Sequence, residues 1–95
     1  MLTFLTTFIA KNQAASHQLA KLLAELKENT PAEPGNLSYE SFSVADGGLV
    51  FYIKDSWESQ EQVDLHNQQL TQHGYLAQVA ELVAVPFESV RLTEI

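Results

Sequence analysis

A β-hairpin pattern that lies between two helix-like stretches is the feature that most constrains this sequence. The runs Leu37 to Val44 and Leu49 to Ser56 are strand-like, and the residues between them include ADGG, a strong turn signal. Side chains of a strand point to alternate faces, so Leu49, Phe51 and Ile53 share one face of the second strand. The middle of the chain is therefore predicted to form an antiparallel hairpin.

The segment before the hairpin predicts a strand followed by a helix. Residues Leu2 to Ile9 are rich in Phe, Thr, Leu and Ile, which suits a strand with apolar groups on both faces. Asn12 is a good N-cap for a helix over Gln13 to Asn29. Thr30 before Pro31 ends this helix, because a residue before proline is steered out of the α region. The apolar residues of the helix share one face: Ala15, Leu19, Leu22, Leu23 and Leu26.

The segment after the hairpin predicts a second helix and a last strand. Residues 59–62, SQEQ, match a capping box, so a helix should begin near Gln60. Its apolar stripe contains Val63, His66 and Leu70. Residues 71–74 interrupt it, and the helical pattern then resumes with Leu76, Val79, Ala80 and Val83. Pro86 stops the helix, and residues 88–95 can form a strand.

The element order β-α-β-β-α-β is the ferredoxin-like, split βαβ arrangement. It predicts an α+β fold in which one antiparallel sheet carries two helices on one face. The other face still bears apolar groups, and a second copy of the chain is the simplest cover for it. The 95 residues fit a single domain over 1–95. Since a chain of this length buries only roughly 60 to 65% of its extended surface, a dimer would add useful buried area.

Charge and composition exclude several classes of function. The 12 acidic and 5 basic residues give a net charge of −7, and the basic residues do not cluster, which disfavours binding to nucleic acid or to an anionic membrane. The chain has no Cys, so disulfides, thiolate catalysis and Cys-ligated metal sites are excluded. The first residues lack the basic n-region of a signal peptide, and no run approaches the ~20 apolar residues of a membrane span. We therefore expect a cytoplasmic protein.

Trp57 and His66 each allow two interpretations. Trp57 has the strand parity of Phe51 and Ile53. Its ring therefore either fills the gap between the sheet and the second helix or walls a pocket that stacks a planar substrate. His66 lies on the apolar stripe of the second helix. It is either a hydrogen-bonded core residue or a general base, since a neutral imidazole accepts a proton near pH 7.

His73 lies seven residues after His66, which is two turns further along if the helix is continuous. That spacing is too wide for two His to chelate one metal ion in the usual i, i+4 manner. No nearby carboxylate completes a two-His, one-carboxylate triad, so we expect no metal site. Three tyrosines, Tyr39, Tyr52 and Tyr75, each place a hydroxyl donor at the end of an apolar body.

Three segments together resemble the antibiotic biosynthesis monooxygenase (ABM) domain family of small dimeric α+β barrel proteins. They are PGNLSYESF from Pro34, FYIKDSWES from Phe51 and VDLHNQ from Val63, and the resemblance spans Leu2 to Ile95. It implies a homodimer whose two sheets pack face to face into a barrel, with a cavity in each subunit. It also implies oxygenation of small aromatic or quinone-like substrates by O₂ without a metal or flavin cofactor, because the substrate supplies the electrons.

The resemblance also implies roles for particular residues. His66 would be the base that removes a phenolic proton. The pocket walls would be Trp57, Tyr39 and Phe51, and the donors that stabilise the anion would be His73 or Tyr75. Two alternatives use the same fold: isomerisation of a small hydroxy-ketone, with His66 and His73 moving protons, or ligand binding without turnover.

The sequence departs from two branches of the family. Members that tailor polyketides carry a Tyr early in the second helix and an Asn late in the third strand, where this chain has Val63 and Ile53. Members that degrade haem carry an Asn on the first strand and a haem-ligating His late in the second helix. This chain has Thr and Phe on that strand, and Leu76 and Gln78 in that part of the helix. We therefore expect neither of these two activities.

Overall fold

The computed structural model describes all residues from 1 to 95. The elements in chain order are β1 (Leu2–Ile9), α1 (Gln13–Asn29), β2 (Asn36–Ser43), β3 (Val50–Trp57), α2 (Gln60–Gln72), α3 (Tyr75–Leu82) and β4 (Glu88–Leu92). The strands form one antiparallel sheet in the order β2-β3-β1-β4, and the helices pack on one of its faces. The predicted α+β, ferredoxin-like arrangement is therefore confirmed, with the second helix divided in two.

Strand register decides which side chains face the helices. β1 and β3 pair so that Phe8 lies opposite Phe51 and Thr6 lies opposite Ile53. Partners in register project on the same face of a sheet. Phe8, Phe51 and Ile53 are buried in one core cluster with the apolar residues of α1, so this face of the sheet is the inner one.

The first helix begins and packs as its sequence predicts. Asn12 Oδ1 accepts a hydrogen bond from the amide of Ala15 at 2.8 Å, which satisfies one of the free amides of the first turn. The predicted stripe is buried: Ala15, Leu19, Leu22, Leu23 and Leu26. Each buried Leu contributes about 1.5–3 kcal/mol relative to an exposed one. After Asn29 the chain does not leave the helix axis at once, because Thr30–Ala32 add one 3₁₀ turn.

A glycine divides the second helical region, as predicted. α2 ends at Gln72, and Gly74 has a φ of +76°, in the left-handed region that glycine favours. α3 then starts at Tyr75. The break lets the chain turn between the two helices, so that both reach the same side of the sheet. No helix of the chain combines the length and the apolar character that a bilayer crossing needs.

Two details of this region differ from the prediction. The Ser59 side chain makes no capping hydrogen bond, so the capping box does not form; α2 starts on the backbone bond from the amide of Val63 to the carbonyl of Ser59, at 3.3 Å. Ala80 is exposed although its spacing placed it on the apolar stripe. The reason is that α3 restarts after the glycine with Tyr75 and Val79 against the core.

The end of α3 and the last strand are shorter than expected. α3 ends at Leu82, before Pro86 is reached, because Val83 leaves the helix to form a bridge with Ala10. The amide of the next residue donates to the carbonyl of Ile9 at 2.8 Å, which fixes the chain at the sheet. β4 ends at Leu92 rather than at residue 95.

The sheet face opposite the helices carries exposed apolar side chains. By register, Ile9, Phe42, Val90 and Leu92 project to this face, and each is between 38% and 51% exposed. Isolated exposed apolar residues are ordinary, whereas a group of them on one flat surface indicates an interaction surface. The apolar outer face that the sequence predicted is therefore present.

Candidate functional site

A cavity of about 530 Å³ lies between the inner face of the sheet and the helices. Its walls are mainly apolar: Phe4 and Phe8 come from β1, Ile53 from β3, and Leu76 and Val79 from α3. The polar and aromatic side chains among the lining residues include Tyr39, Asp55, Trp57 and His66. This size and this mixture of walls are typical of sites for small molecules.

His66 is paired with a carboxylate that the sequence analysis did not single out. The His66 ring is buried, and its Nδ1 lies 3.0 Å from Glu33 Oε1 and 3.1 Å from Glu33 Oε2. A carboxylate only accepts hydrogen bonds, so Nδ1 carries the proton and donates it to Glu33. Nε2 is then the basic nitrogen of the ring. The two interpretations of His66 are therefore compatible. Nδ1 makes the hydrogen bond of a core residue, and Nε2 can still accept a proton as a general base.

The loop between α1 and β2 positions Glu33. The amide of Glu33 donates to the carbonyl of Thr30 at 2.9 Å, which closes the 3₁₀ turn. Two residues on, Gly35 has a φ of +81°, and its carbonyl accepts from the amide of Glu58 at 2.9 Å. A Cβ at Gly35 would collide with the Gln62 side chain, so only glycine lets this loop lie against the first turn of α2. The close approach fixes the loop that carries Glu33 beside the helix that carries His66.

Trp57 both closes the core and walls the cavity. Its side chain is only 1% exposed, and the cavity lies against it. The indole ring lies 4.7 Å from the His66 ring between centroids, with an interplanar angle of 39°. Indole Nε1 donates to Asp55 Oδ2 at 2.9 Å. The indole is therefore fixed by Asp55 at its Nε1 and by packing against His66, and it holds the His66 ring in place at the cavity.

Asp55 is a buried carboxyl group at the same end of the cavity. It is 9% exposed and lies opposite Tyr39 in the β2–β3 pairing. Burial raises the pKa of the Asp55 carboxyl, and this outweighs the opposite effects of the hydrogen bond from Trp57 and of nearby His66. Burial likewise raises the pKa of the Tyr39 phenol, and the neighbouring Asp55 raises it further. Tyr39 therefore remains a hydrogen-bond donor, and its ring meets the His66 ring edge-on at 6.3 Å.

The structure separates the remaining predicted residues. Phe51 is buried in the core cluster and is not part of the cavity wall. His73 is exposed and lies in a second, more polar recess of about 400 Å³, which also contains Glu25 and Glu33 and which we call the outer recess. Tyr75 lies between the two spaces and lines both, and its hydroxyl donates to Glu25 Oε2 at 3.3 Å. His66 and His73 therefore do not share one cavity.

Two residues of the site were missed for different reasons. Asp55 has the parity of Phe51 and Ile53, so the alternation along the strand already placed a carboxyl on the inner face. A charged residue at a core-facing position was a signal that could have been read. Glu33 lies in a loop, where no periodicity applies, and only the tertiary structure brings it to His66. No group of three or more His, Cys, Asp or Glu side chains comes together in an arrangement suited to a metal ion.

Comparison with known proteins gives consistent matches. The family model described as Antibiotic biosynthesis monooxygenase matches residues 1–84. The solved structure of Rv0793 from Mycobacterium tuberculosis is 28% identical, with a TM-score of 0.86 over 99% of this chain and 94% of that chain. The Bacillus subtilis (strain 168) protein named "Putative monooxygenase YcnE" is 27% identical over 66 residues, which are 70% of this chain and 70% of that protein.

A further similar structure contains a ligand. It is a monooxygenase from the gene ActVA-Orf6 of Streptomyces coelicolor in complex with Nanaomycin D. Its TM-score is 0.77 over 99% of this chain and 87% of that chain, and the identity is 20%. At this identity the similarity demonstrates a common fold.

Proposed function

The chain belongs to the antibiotic biosynthesis monooxygenase family, and from this premise we propose that it oxygenates a small aromatic, quinol-type molecule without a cofactor. The observation that carries the proposal is the His66–Glu33 pair at an apolar cavity, with Nδ1 3.0 Å from Glu33 Oε1 and the His66 ring packed against Trp57 at a tilt of 39°. The ligand in the Streptomyces coelicolor structure supports a small molecule as the substrate class.

In this proposal His66 is the general base. Glu33 keeps the proton on Nδ1, so Nε2 accepts the proton of a phenolic hydroxyl that enters the cavity. The imidazolium that forms is stabilised by the carboxylate of Glu33, which makes the proton transfer easier. Mainly apolar walls keep water away from the resulting phenolate. Loss of its hydration makes the anion a stronger electron donor.

The substrate itself reduces O₂ in the next steps. The phenolate gives one electron to O₂, and the superoxide and the substrate radical combine at a ring carbon. Cleavage of the O–O bond and loss of the proton from that carbon leave one oxygen atom on the ring and release the other as water. For a hydroquinone the sum is hydroquinone plus O₂ giving hydroxyquinone plus H₂O, in which the substrate supplies all the electrons.

The aromatic and donor side chains complete the proposed site. Trp57 forms the cavity wall beside His66, and Tyr39 donates a hydrogen bond toward developing negative charge. Tyr75 offers a second hydroxyl at the boundary with the outer recess. His73 would contact only a group that extends from the cavity into that recess.

A homodimer is part of the proposal. The outer sheet face exposes Ile9, Phe42, Val90 and Leu92, and a second copy of the chain would cover it. Size-exclusion chromatography with light scattering should give twice the 10.6 kDa chain mass. Val90→Glu, at a position that is 51% exposed, should shift the protein toward the monomer without disturbing the core. A wild-type monomer at micromolar concentration would contradict the dimer.

O₂ consumption tests the reaction directly. The metal-free protein is mixed with hydroquinones, anthrones and catechols in an oxygen electrode, and the product is identified by mass. We expect O₂ uptake that depends on the protein and that His66→Ala lowers about 10²- to 10⁴-fold. His17→Ala, which changes an exposed histidine of α1, should behave as wild type. Equal rates for wild type and His66→Ala on an accepted substrate would remove His66 from the reaction.

A second candidate is an isomerase that moves protons on a small hydroxy-ketone. The observation that favours it is the presence of two proton-exchanging side chains, His66 and Asp55, at the same cavity. Product formed under strictly anaerobic conditions would support it over the monooxygenase. A ligand that stays bound through purification and is never converted would instead indicate a binding protein.

A further inference from the structure

Asp55 has no role in the monooxygenase reaction proposed above, although its position is unusual. It is the only carboxylate among the buried residues, and it lines the same cavity as His66. Trp57 Nε1 donates a hydrogen bond to Asp55 Oδ2 at 2.9 Å, and no other side chain makes a hydrogen bond to this carboxyl group. A backbone hydrogen bond within Asp55 itself also reaches this group; a carboxyl group has capacity for further bonds, and this one lines the cavity, where a bound molecule can reach it.

A single indole ring links Asp55 to His66. Trp57 donates to Asp55 from its Nε1, and its ring lies 4.7 Å from the His66 ring. Tyr39 lies opposite Asp55 in the sheet and meets His66 edge-on at 6.3 Å. The base and the carboxyl group therefore contact the same indole and lie at the same end of the cavity. The walls farther from this end, Phe8 and Val79, are apolar.

We propose that Asp55 Oδ1–H donates a hydrogen bond to the substrate beside the oxygen that His66 deprotonates, so that the site selects aromatic molecules with oxygens on two adjacent ring carbons. This inference rests on the proposed function and names its substrate class. Both groups lie beside the same indole, so oxygens on neighbouring ring carbons, the closest pair that one aromatic ring offers, are the arrangement suited to reaching both. The rest of the molecule then lies against the apolar walls.

Burial of Asp55 favours the protonated form of its carboxyl group, which can donate a hydrogen bond. Burial raises the pKa of its carboxyl group, so the protonated acid is more stable here than in water. Proton transfer to His66 leaves an anionic oxygen nearby, and a carboxylic acid stabilises that anion whereas a carboxylate repels it. A molecule with one oxygen leaves Oδ1 without a partner in an apolar cavity, and an unpaired buried polar group costs free energy. The site should therefore bind a molecule with two adjacent oxygens more tightly than one with a single oxygen.

Binding of a matched ligand pair tests the inference. The probes are 2,3-dihydroxynaphthalene and 2-naphthol, which differ by one hydroxyl, measured by isothermal titration calorimetry under argon. We expect wild type to bind the diol about ten- to a hundredfold more tightly. Asp55→Leu should remove that preference and leave 2-naphthol binding nearly unchanged. Asp55→Asn should keep most of the preference, since its amide can donate to the ligand while its oxygen accepts from Trp57.

Each other outcome overturns the inference. Equal affinity of wild type for the two ligands would show that no second oxygen is recognised. An equal loss for both ligands in Asp55→Leu would reduce Asp55 to an anchor for Trp57. Loss of the preference in Asp55→Asn would mean that the carboxyl accepts rather than donates. The titration contains no O₂ and measures only binding. If the monooxygenase proposal fails, the oxygen electrode will show it, and the binding result can still be interpreted by itself.

Discussion

Two histidines on the same helical region have opposite surroundings. His66 is buried, donates to Glu33 and packs on Trp57. His73, which follows α2 directly, is exposed in the outer recess. The residue type is the same, so any difference in reactivity must come from the partner, the packing and the access of water. The sequence spacing alone suggested that the two could work together. They do not, because His73 lies two helical turns beyond His66, at the end of α2, where it lines the outer recess.

The two spaces that hold these histidines differ in the same way. Leu26, Leu70 and Tyr75 form a common wall between the cavity and the outer recess. On one side the lining is mainly apolar, so a charge formed there interacts strongly with a few fixed groups. On the other side the lining is mainly polar, with Glu25 and Gln78 among its residues, and water screens such charges. Chemistry that develops charge is therefore expected in the cavity.

The largest expected effect is the difference between His66→Ala and His73→Ala. With an accepted substrate, His66→Ala should lower kcat by about 10²- to 10⁴-fold, the range over which a positioned base acts. His73→Ala should stay close to wild type, because this side chain lies outside the cavity. Steady-state O₂ uptake measures both. A His73→Ala loss as large as that of His66→Ala would break the comparison and restore a two-histidine site.

The next effect concerns the carboxylate partners. Glu33→Gln keeps an oxygen that can accept from Nδ1 but removes the charge that stabilises the imidazolium, so kcat should fall about ten- to a hundredfold. Glu25→Gln changes a carboxylate of the outer recess and should have little effect on kcat. A KM change alone in Glu33→Gln would indicate that Glu33 shapes the pocket rather than assisting proton transfer.

Periodicity in the sequence predicted the parts of the fold that depend on neighbours in the chain. The strand alternation placed Phe51 and Ile53 inward, and the Asn12 cap and the glycine break at Gly74 both lie where the sequence indicates. These features are local, because a cap or a left-handed turn involves only a few consecutive residues. Even so, the side-chain part of the Ser59 capping box did not form.

The site was predicted less completely, since its central contact joins residues 33 positions apart. His66 and Trp57 could be named as candidates because each is unusual on an apolar face. Glu33 could not, because a loop carboxylate has no pattern and its place depends on Gly35 packing against α2. Phe51 was expected in the pocket wall, but parity fixes only the face of the sheet and not the distance along it.

A smaller effect, on the free energy of unfolding, compares Trp57 at the cavity with Tyr75 in the wall between the cavity and the outer recess. Trp57→Phe opens space beside His66 and leaves Asp55 Oδ2 without its donor, so the free energy of unfolding should fall by about 1–3 kcal/mol. Tyr75→Phe removes a long hydrogen bond of 3.3 Å to Glu25, and its effect should stay within about 0.5 kcal/mol. Urea unfolding followed by circular dichroism measures both variants. Equal losses would mean that the outer recess is as tightly packed as the cavity.

The smallest effect is a pH dependence of stability that belongs to the cavity alone. Because burial raises the pKa of Asp55 above 3.8, the native state keeps this proton at a pH where the unfolded chain has lost it. The native state therefore binds more protons than the unfolded state in that window, and linkage requires stability to fall as pH rises through it. Below 3.8 both states are protonated and the contribution is fully present.

Asp55→Asn isolates this contribution, since an amide does not titrate and is close to the same shape. Relative to wild type, the variant should gain stability as pH is raised from about 3 to 7, by the amount that wild type loses while its unfolded chain has released a proton that the native state still holds. Urea unfolding monitored by the fluorescence of Trp57, the only Trp in the chain, measures the difference at each pH. Glu94→Gln, an exposed position after β4, is the matched control and should show no such trend. If the difference in unfolding free energy between Asp55→Asn and wild type stays constant with pH, Asp55 is hydrated in solution. The cavity would then not be drier than the outer recess, and the contrast between the two spaces would no longer hold.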